Sequence, residues 1–176
     1  MTDVPDQLIA RIAADSKYWL WINDQLVIFE GGLKRGPSPS GTYYDPVDIA
    51  PYLTKGSNTI AILLWHFGKD GFSHINSGKA ALLFEAIAPG LEIVSDASWQ
   101  CALYEAYQNT EAPFPNYRMP ESNIRFDARQ AITNWNRTSF EGSLPGAVCV
   151  GKAGKAPFGE LVERPIPQWK NSGLLS

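Results

Sequence analysis

Two apolar runs, Lys17–Ile22 and Gln25–Phe29, flank a gap of just two residues, Asn23-Asp24. Few arrangements constrain a chain more. Asn and Asp both tolerate positive φ, so the gap predicts a tight hairpin turn and sets the register of two antiparallel strands. Alternation places Tyr18, Leu20 and Ile22 on one face and Trp19 and Trp21 on the other. With both faces apolar, the hairpin has to lie between two layers, or between one layer and a neighbouring domain.

The remaining chain continues in short β-branched and aromatic runs punctuated by Gly, Pro, Asn and Asp. Leu8–Ala13 reads as a preceding strand and Thr59–Trp65 as a central strand covered on both faces. Ala80–Ile87 turns at Pro89-Gly90 into Leu91–Val94, a second hairpin. Late strands are predicted at Asn123–Asp127, Ala147–Val150 and Glu160–Val162. One helical turn is expected at Asp48–Leu53, with Asp48 capping its start, Pro51 in its first turn and Gly56 ending it. Strands at this spacing indicate an all-β, antiparallel β-sandwich. It occupies residues 1–164, with 165–176 starting a linker. Long irregular stretches at Gly31–Thr42, Gly68–Gly78, Tyr104–Ser122 and Asn136–Gly146 are where function is expected.

The bulk numbers agree with one packed domain. Hydrophobic residues make up 44% and charged residues 19% of 176, and a chain of this size buries about 70% of its unfolded surface. The net charge of −3 is spread along the chain without a Lys/Arg run, which argues against a nucleic-acid partner. The longest apolar stretch, Thr59–Phe67, is too short to span a membrane. The first residues, MTDVPDQ, lack a signal peptide's basic and then apolar pattern. Cys101 and Cys149 sit in apolar, strand-like runs and read as buried thiols; whether they pair is not legible from two positions. Two separated cysteines and two histidines lack the spacing of a zinc site.

The candidate sites are polar or aromatic clusters, each with a structural alternative. Trp65-His66-Phe67 leaves a strand for a loop carrying Asp70 and His74. It reads as a sugar platform, or as a core Trp65 beside a His66 that satisfies local backbone. Tyr43, Tyr44, Asp45 and Asp48 offer oxygen ligands to calcium or to sugar hydroxyls. Against that, Asp48 caps a turn and Asp45-Pro46 forms one. Arg35 grips a sugar or pairs with a carboxylate at its loop base. Asn123, Arg125 and Asp127 alternate, so they share a strand face that serves a sugar, a buried network or a domain seam. Asp96 reads as a turn residue that binds backbone beside the anchor Trp99. No nucleophile elbow, phosphate loop or singled-out carboxylate pair marks a catalytic centre.

Several patterns in order resemble one family. Ala13–Asn23 is similar to the strand and turn of glycosidase jelly-roll modules. Arg35-Gly-Pro37, Tyr43-Tyr-Asp45, Asp48–Leu53, Gly56–Ile60, Leu64–Gly68 and Ser95–Trp99 follow in that family's order. Glu121–Arg129 and Glu163–Pro167 resemble the stretches leading out of the N-terminal β-sandwich module of bacterial α-L-rhamnosidases, of glycoside hydrolase family 78 type. Asp24 departs from the usual glycine of the turn. The resemblance implies a galactose-binding-like jelly roll without catalytic residues, because the family's carboxylates lie on a separate (α/α)6 barrel. It implies a catalytic domain as partner; the compartment of the parent, periplasmic or secreted among the options, is not legible from the sequence. Two roles stay open. One is holding a rhamnosyl oligosaccharide through Arg35, Tyr44, Asp45, Trp65, His66, Asn123, Arg125 and Asp127, with or without calcium and with no other cofactor. The other is buttressing the barrel.

Overall fold

The computed structural model describes residues 1–110, 123–170 and 172–173. Glu121 and Ser122 of the family-like motif, and residues 111–122 of the long predicted loop, lie outside the described residues. Ten strands are described: β1 (Ile9–Asp15), β2 (Lys17–Ile22), β3 (Gln25–Ile28), β4 (Thr42–Asp48), β5 (Ile60–Trp65), β6 (Ala81–Ala88), β7 (Leu91–Val94), β8 (Tyr107–Asn109), β9 (Ile124–Phe126) and β10 (Leu161–Glu163). They form a five-stranded sheet in the order β10-β4-β1-β6-β7, a three-stranded sheet β3-β2-β5, and a small pair β8-β9. The β-sandwich expectation holds, with one exception to its antiparallel pairing. Strand β10 joins β4 in parallel.

The core lies between the two larger sheets, where alternation puts it. Ala10, Ile12 and Ala14 of β1 face Tyr18, Leu20 and Ile22 of β2, all at most 2% exposed, with Phe84 and Ala86 of β6 beside them. Ile49, Ala50 and Leu53 from the 3-10 turn Ala50–Tyr52 close one end. Asp48 does hold that turn, its Oδ1 accepting from Ala50 N at 3.1 Å, and it also accepts from Leu8 N at 3.0 Å to fix the start of β1.

The hairpin turn forms as read, with Asn23 at φ 47° and Asp24 at φ 71°. The side chain of Asp24 explains why glycine is absent there. Its carboxylate accepts from Thr138 N at 2.7 Å and from Thr138 Oγ1 at 3.0 Å, tying a segment more than a hundred residues away to the hairpin tip. Asp24→Gly relieves a small backbone strain but removes both bonds. It is expected to lower stability by about 1 kcal/mol, measured by urea unfolding; a gain in stability would show that the tether is idle.

Four expectations need correction. Asp45-Pro46 does not make a turn but lies inside β4. The Leu8–Ile49 pair is hydrogen-bonded, Ile49 N to Leu8 O at 2.8 Å. Alternation then makes Arg11–Pro46 a non-bonded pair. Pro46 N therefore faces the β10 side, beyond the last pair of β10 with β4, Glu163–Tyr44, where a missing N–H removes nothing. Strand β5 ends its sheet and is not central. It is apolar on both faces because Ile60, Ile62 and Leu64 pack on the core while Trp65 joins an aromatic band outside. Ala147–Val150 forms no strand. Only Gly146 bridges, to Gln100, and Val148 is 81% exposed. Cys101 and Cys149 are exposed free thiols, not buried ones.

Candidate functional site

Three features built from the predicted residues stand apart from the core. The first surrounds the β1–β2 junction. Asp15 is completely buried there, and its carboxylate accepts from His74 Nε2 at 2.8 Å, Ser16 Oγ at 2.8 Å and Ser77 N at 2.6 Å. Burial alone would raise its pKa; the hydrogen bonds from His74, Ser77 and Ser16 outweigh burial and hold it well below the usual carboxylate range. Lys34, 3% exposed, feels the opposite balance. Burial lowers its pKa, and the charges of Asp15 and Asp70 only partly restore it. His66 sits at the edge, Nδ1 3.3 Å from Asp15 O and 3.6 Å from Asp15 Oδ1, with its side chain 23% exposed.

Beside this junction runs an aromatic band on the outer face of the three-stranded sheet. Lys17, Trp19 and Trp21 of β2 register with Trp65, Leu63 and Ala61 of β5, so they share that face. Trp19 and Trp65 stack with centroids 6.5 Å apart at 24°, Phe29 meets Trp19 edge-on, and Phe67 meets Trp65 edge-on at 5.1 Å. Lys17 Nζ lies 5.7 Å from the Trp65 and Phe67 rings and 3.1 Å from Glu30 Oε1. At the other end Trp135 covers Trp21, and Tyr104 covers Trp135.

The second feature is a buried ion pair. Asp45, 1% exposed, accepts from Arg164 Nε at 2.5 Å, Tyr18 Oη at 2.8 Å and Gly32 N at 3.0 Å. Arg164 also donates to Leu33 O and lies over the Tyr43 ring. A Cβ at Gly31 would run into the Tyr18 ring, and one at Gly32 into the Arg164 guanidinium, so the glycine pair is what lets the loop close over the charges. The Asp45 oxygens are thus committed to protein donors. Among the described residues no three His, Cys, Asp or Glu side chains stand close enough to hold a metal ion, and calcium does not fit Asp45 with Asp48.

The third feature is the β8–β9 pair. Arg125 donates to Gln108 across it, and Asn123 O accepts from Thr110 N at 3.0 Å. Asp127 caps the next turn and forks onto Arg129, whose donors bring its pKa to about 2. Apolar side chains dominate the remainder, with Tyr107 at 45%, Ile124 at 42% and Phe126 at 49% exposed.

The eight predicted sugar ligands therefore do not converge. Trp65 and His66 share the aromatic end. Asp45 is locked in its ion pair. Tyr44 lies on the opposite face of β4, its hydroxyl 3.4 Å from Glu163. Arg35 is exposed in its loop, and Asn123, Arg125 and Asp127 belong to the small β8–β9 pair. Sequence reading missed Asp15 as a hub, since one aspartate ending an apolar strand carries no signal of what will gather around it. Lys34, Gly31, Gly32 and Arg164 were missed for the same reason.

Comparison with known proteins places these features in context. No family model and no curated protein matches the chain. Among solved structures, a family 78 rhamnosidase of Bacillus sp. GL1 superposes with a TM-score of 0.83 at 30% identity, over 95% of this chain. The chain is a relative of one module of that enzyme type. An α-L-rhamnosidase of Dictyoglumus thermophilum shares the fold, with a TM-score of 0.66 at 20% identity over 96% of this chain. The rhamnosidase-like module spans only 17% of the Bacillus chain and 18% of the Dictyoglumus chain.

Proposed function

We propose that the chain is a non-catalytic module of an α-L-rhamnosidase-like glycoside hydrolase, and that its main work is to pack against the catalytic part of that enzyme. The exposed apolar surface of its C-terminal half carries this reading. Leu103 at 84%, Val148 at 81% and the outward residues of β8–β9 stay uncovered, whereas a free-standing domain hides large apolar side chains or scatters them singly. A two-stranded pair is marginal by itself and gains stability from a neighbour.

The test is binding between this chain and the Bacillus sp. GL1 rhamnosidase from which the matching segment has been deleted. Saturable binding that weakens at least tenfold with Phe126→Ser is expected; an inert wild-type chain would sink the docking role. A second reading, binding of rhamnose-containing carbohydrate, is favoured by the Trp19–Trp65–Phe67 band with Lys17, Glu30 and His66 along its edge, since aromatic faces suit sugar C–H groups. Calorimetry with L-rhamnose, with and without calcium, decides it. Heat that disappears with Trp65→Ala supports a sugar site, and no heat at millimolar sugar removes it.

A further inference from the structure

The 68–78 loop spends buried groups to hold an exposed one. His74 is 1% exposed and fixed by Asp15, with its ring edge-on to Phe67 at 5.3 Å. Ser77 N donates to Asp15 Oδ2, Ile75 N to Lys34 O, Asn76 N to Asp70 Oδ1 and Gly71 N to His74 O, all between 2.6 and 3.1 Å. Between Gly71 and His74 stands Phe72, 79% exposed. Leaving a phenylalanine outside forgoes the burial of a large aromatic side chain. Fixing the loop beneath it removes most of the entropy that inserting the ring would otherwise cost.

We propose that this loop is a preformed docking anchor, in which Phe72 inserts into an apolar pocket on the remainder of a longer rhamnosidase-type polypeptide. The inference rests on the docking role above and names a second contact for it, on a separate loop from the β8–β9 arm. Buried aromatic anchors of this kind carry most of the energy of an interface. A protein pocket is the occupant that a single protruding aromatic side chain on a braced loop fits. Behind the tip, Asp70 Oδ1 accepts from Asn76 N and Asn76 Oδ1 accepts from Gly78 N at 2.9 Å, which braces the backbone under Phe72. The remainder of the enzyme is the natural occupant, because in both matching rhamnosidases more than four fifths of the chain lies outside the matched segment.

The same segment-deleted Bacillus sp. GL1 enzyme is the probe, titrated against immobilised wild-type chain, Phe72→Ala, His74→Gln and Phe126→Ser. Phe72→Ala is expected to weaken binding at least tenfold with an unchanged melting temperature. His74→Gln, which loosens the loop but keeps the ring, is expected to fall between Phe72→Ala and wild type. Wild-type affinity in Phe72→Ala together with loss in Phe126→Ser overturns the anchor and leaves the docking role standing. An inert wild-type chain overturns both. L-rhamnose binding that Phe72→Ala abolishes assigns the tip to sugar and also overturns the anchor.

Discussion

Replacing Asp45 by alanine is expected to cost about 3–5 kcal/mol, because it strands a buried guanidinium. Arg164 would keep one backbone acceptor, Leu33 O, and lose its only carboxylate among the described residues. Tyr18 Oη and Gly32 N lose their acceptor in the same step. Urea unfolding monitored by tryptophan fluorescence reads the loss. A companion variant separates the pair from the packing. Asp45→Asn keeps the shape and one acceptor oxygen, and is expected to fall between wild type and Asp45→Ala. If Asp45→Ala unfolded within 1 kcal/mol of wild type, Arg164 would have to find solvent, and β10 would have to detach without consequence for the sandwich.

Asp15 should produce the second large effect, and a pH dependence with a defined sign. Its folded pKa is depressed, so its contribution is complete above the unfolded carboxylate value of about 3.9 and disappears as pH falls through the folded value. Wild-type protein is therefore expected to lose stability progressively below about pH 4. In Asp15→Asn an amide N–H₂ replaces one acceptor in a nest where His74, Ser77 and Ser16 all donate. That variant should already be about 3 kcal/mol less stable at pH 7, with a flatter profile in acid. Thermal melts of both proteins between pH 3 and 8 make the comparison. Parallel acid limbs would show that carboxylates other than Asp15 dominate the acid response.

What could be read from the chain alone depended on how local the cause was. The Lys17–Phe29 hairpin is a pattern of period two closed by two αL-tolerant residues, so the turn and the faces of β2 were legible, whereas the register shift that pairs Leu20 with Ile28 but Trp21 with Leu26 was not. The Pro89-Gly90 hairpin is legible for the same reason, with Gly90 at φ 74°. Strand β4 was hidden because a proline inside a strand reads as a turn. It is tolerated only because β10 has already ended, a fact that depends on residues 161–163. Ala147–Val150 has the composition of a strand but pairs no further than Ala147 N to Trp99 O at 2.8 Å, and Val148, Cys149 and Val150 are exposed.

The candidate sites were less legible than the fold. Asp45 looked like a ligand because it is polar and near two tyrosines; its actual partner is Arg164, separated by 119 positions. Asp15 carried no signal, since the residues that converge on it come from three separate loops. Trp65 and His66 lie together in the structure because they are adjacent in sequence and leave a strand together.

The late arrival of β10 also bears on how the protein is made. Thr42 Oγ1 donates to Phe158 O, Thr42 N to Glu160 O, and Arg164 reaches back to Asp45, so one edge of the five-stranded sheet is completed by residues far downstream of β4. During synthesis, strands β1 to β7 can assemble while Asp45 is still a lone carboxylate facing the core beside Tyr18. Pairings of such long sequence separation form slowly. A growing chain that pauses before Arg164 would display an open sheet margin and an uncompensated interior charge, the condition in which quality-control factors engage nascent proteins. The ion pair thus closes only once the chain through Arg164 has been made, so the sheet edge and the interior charge are satisfied together.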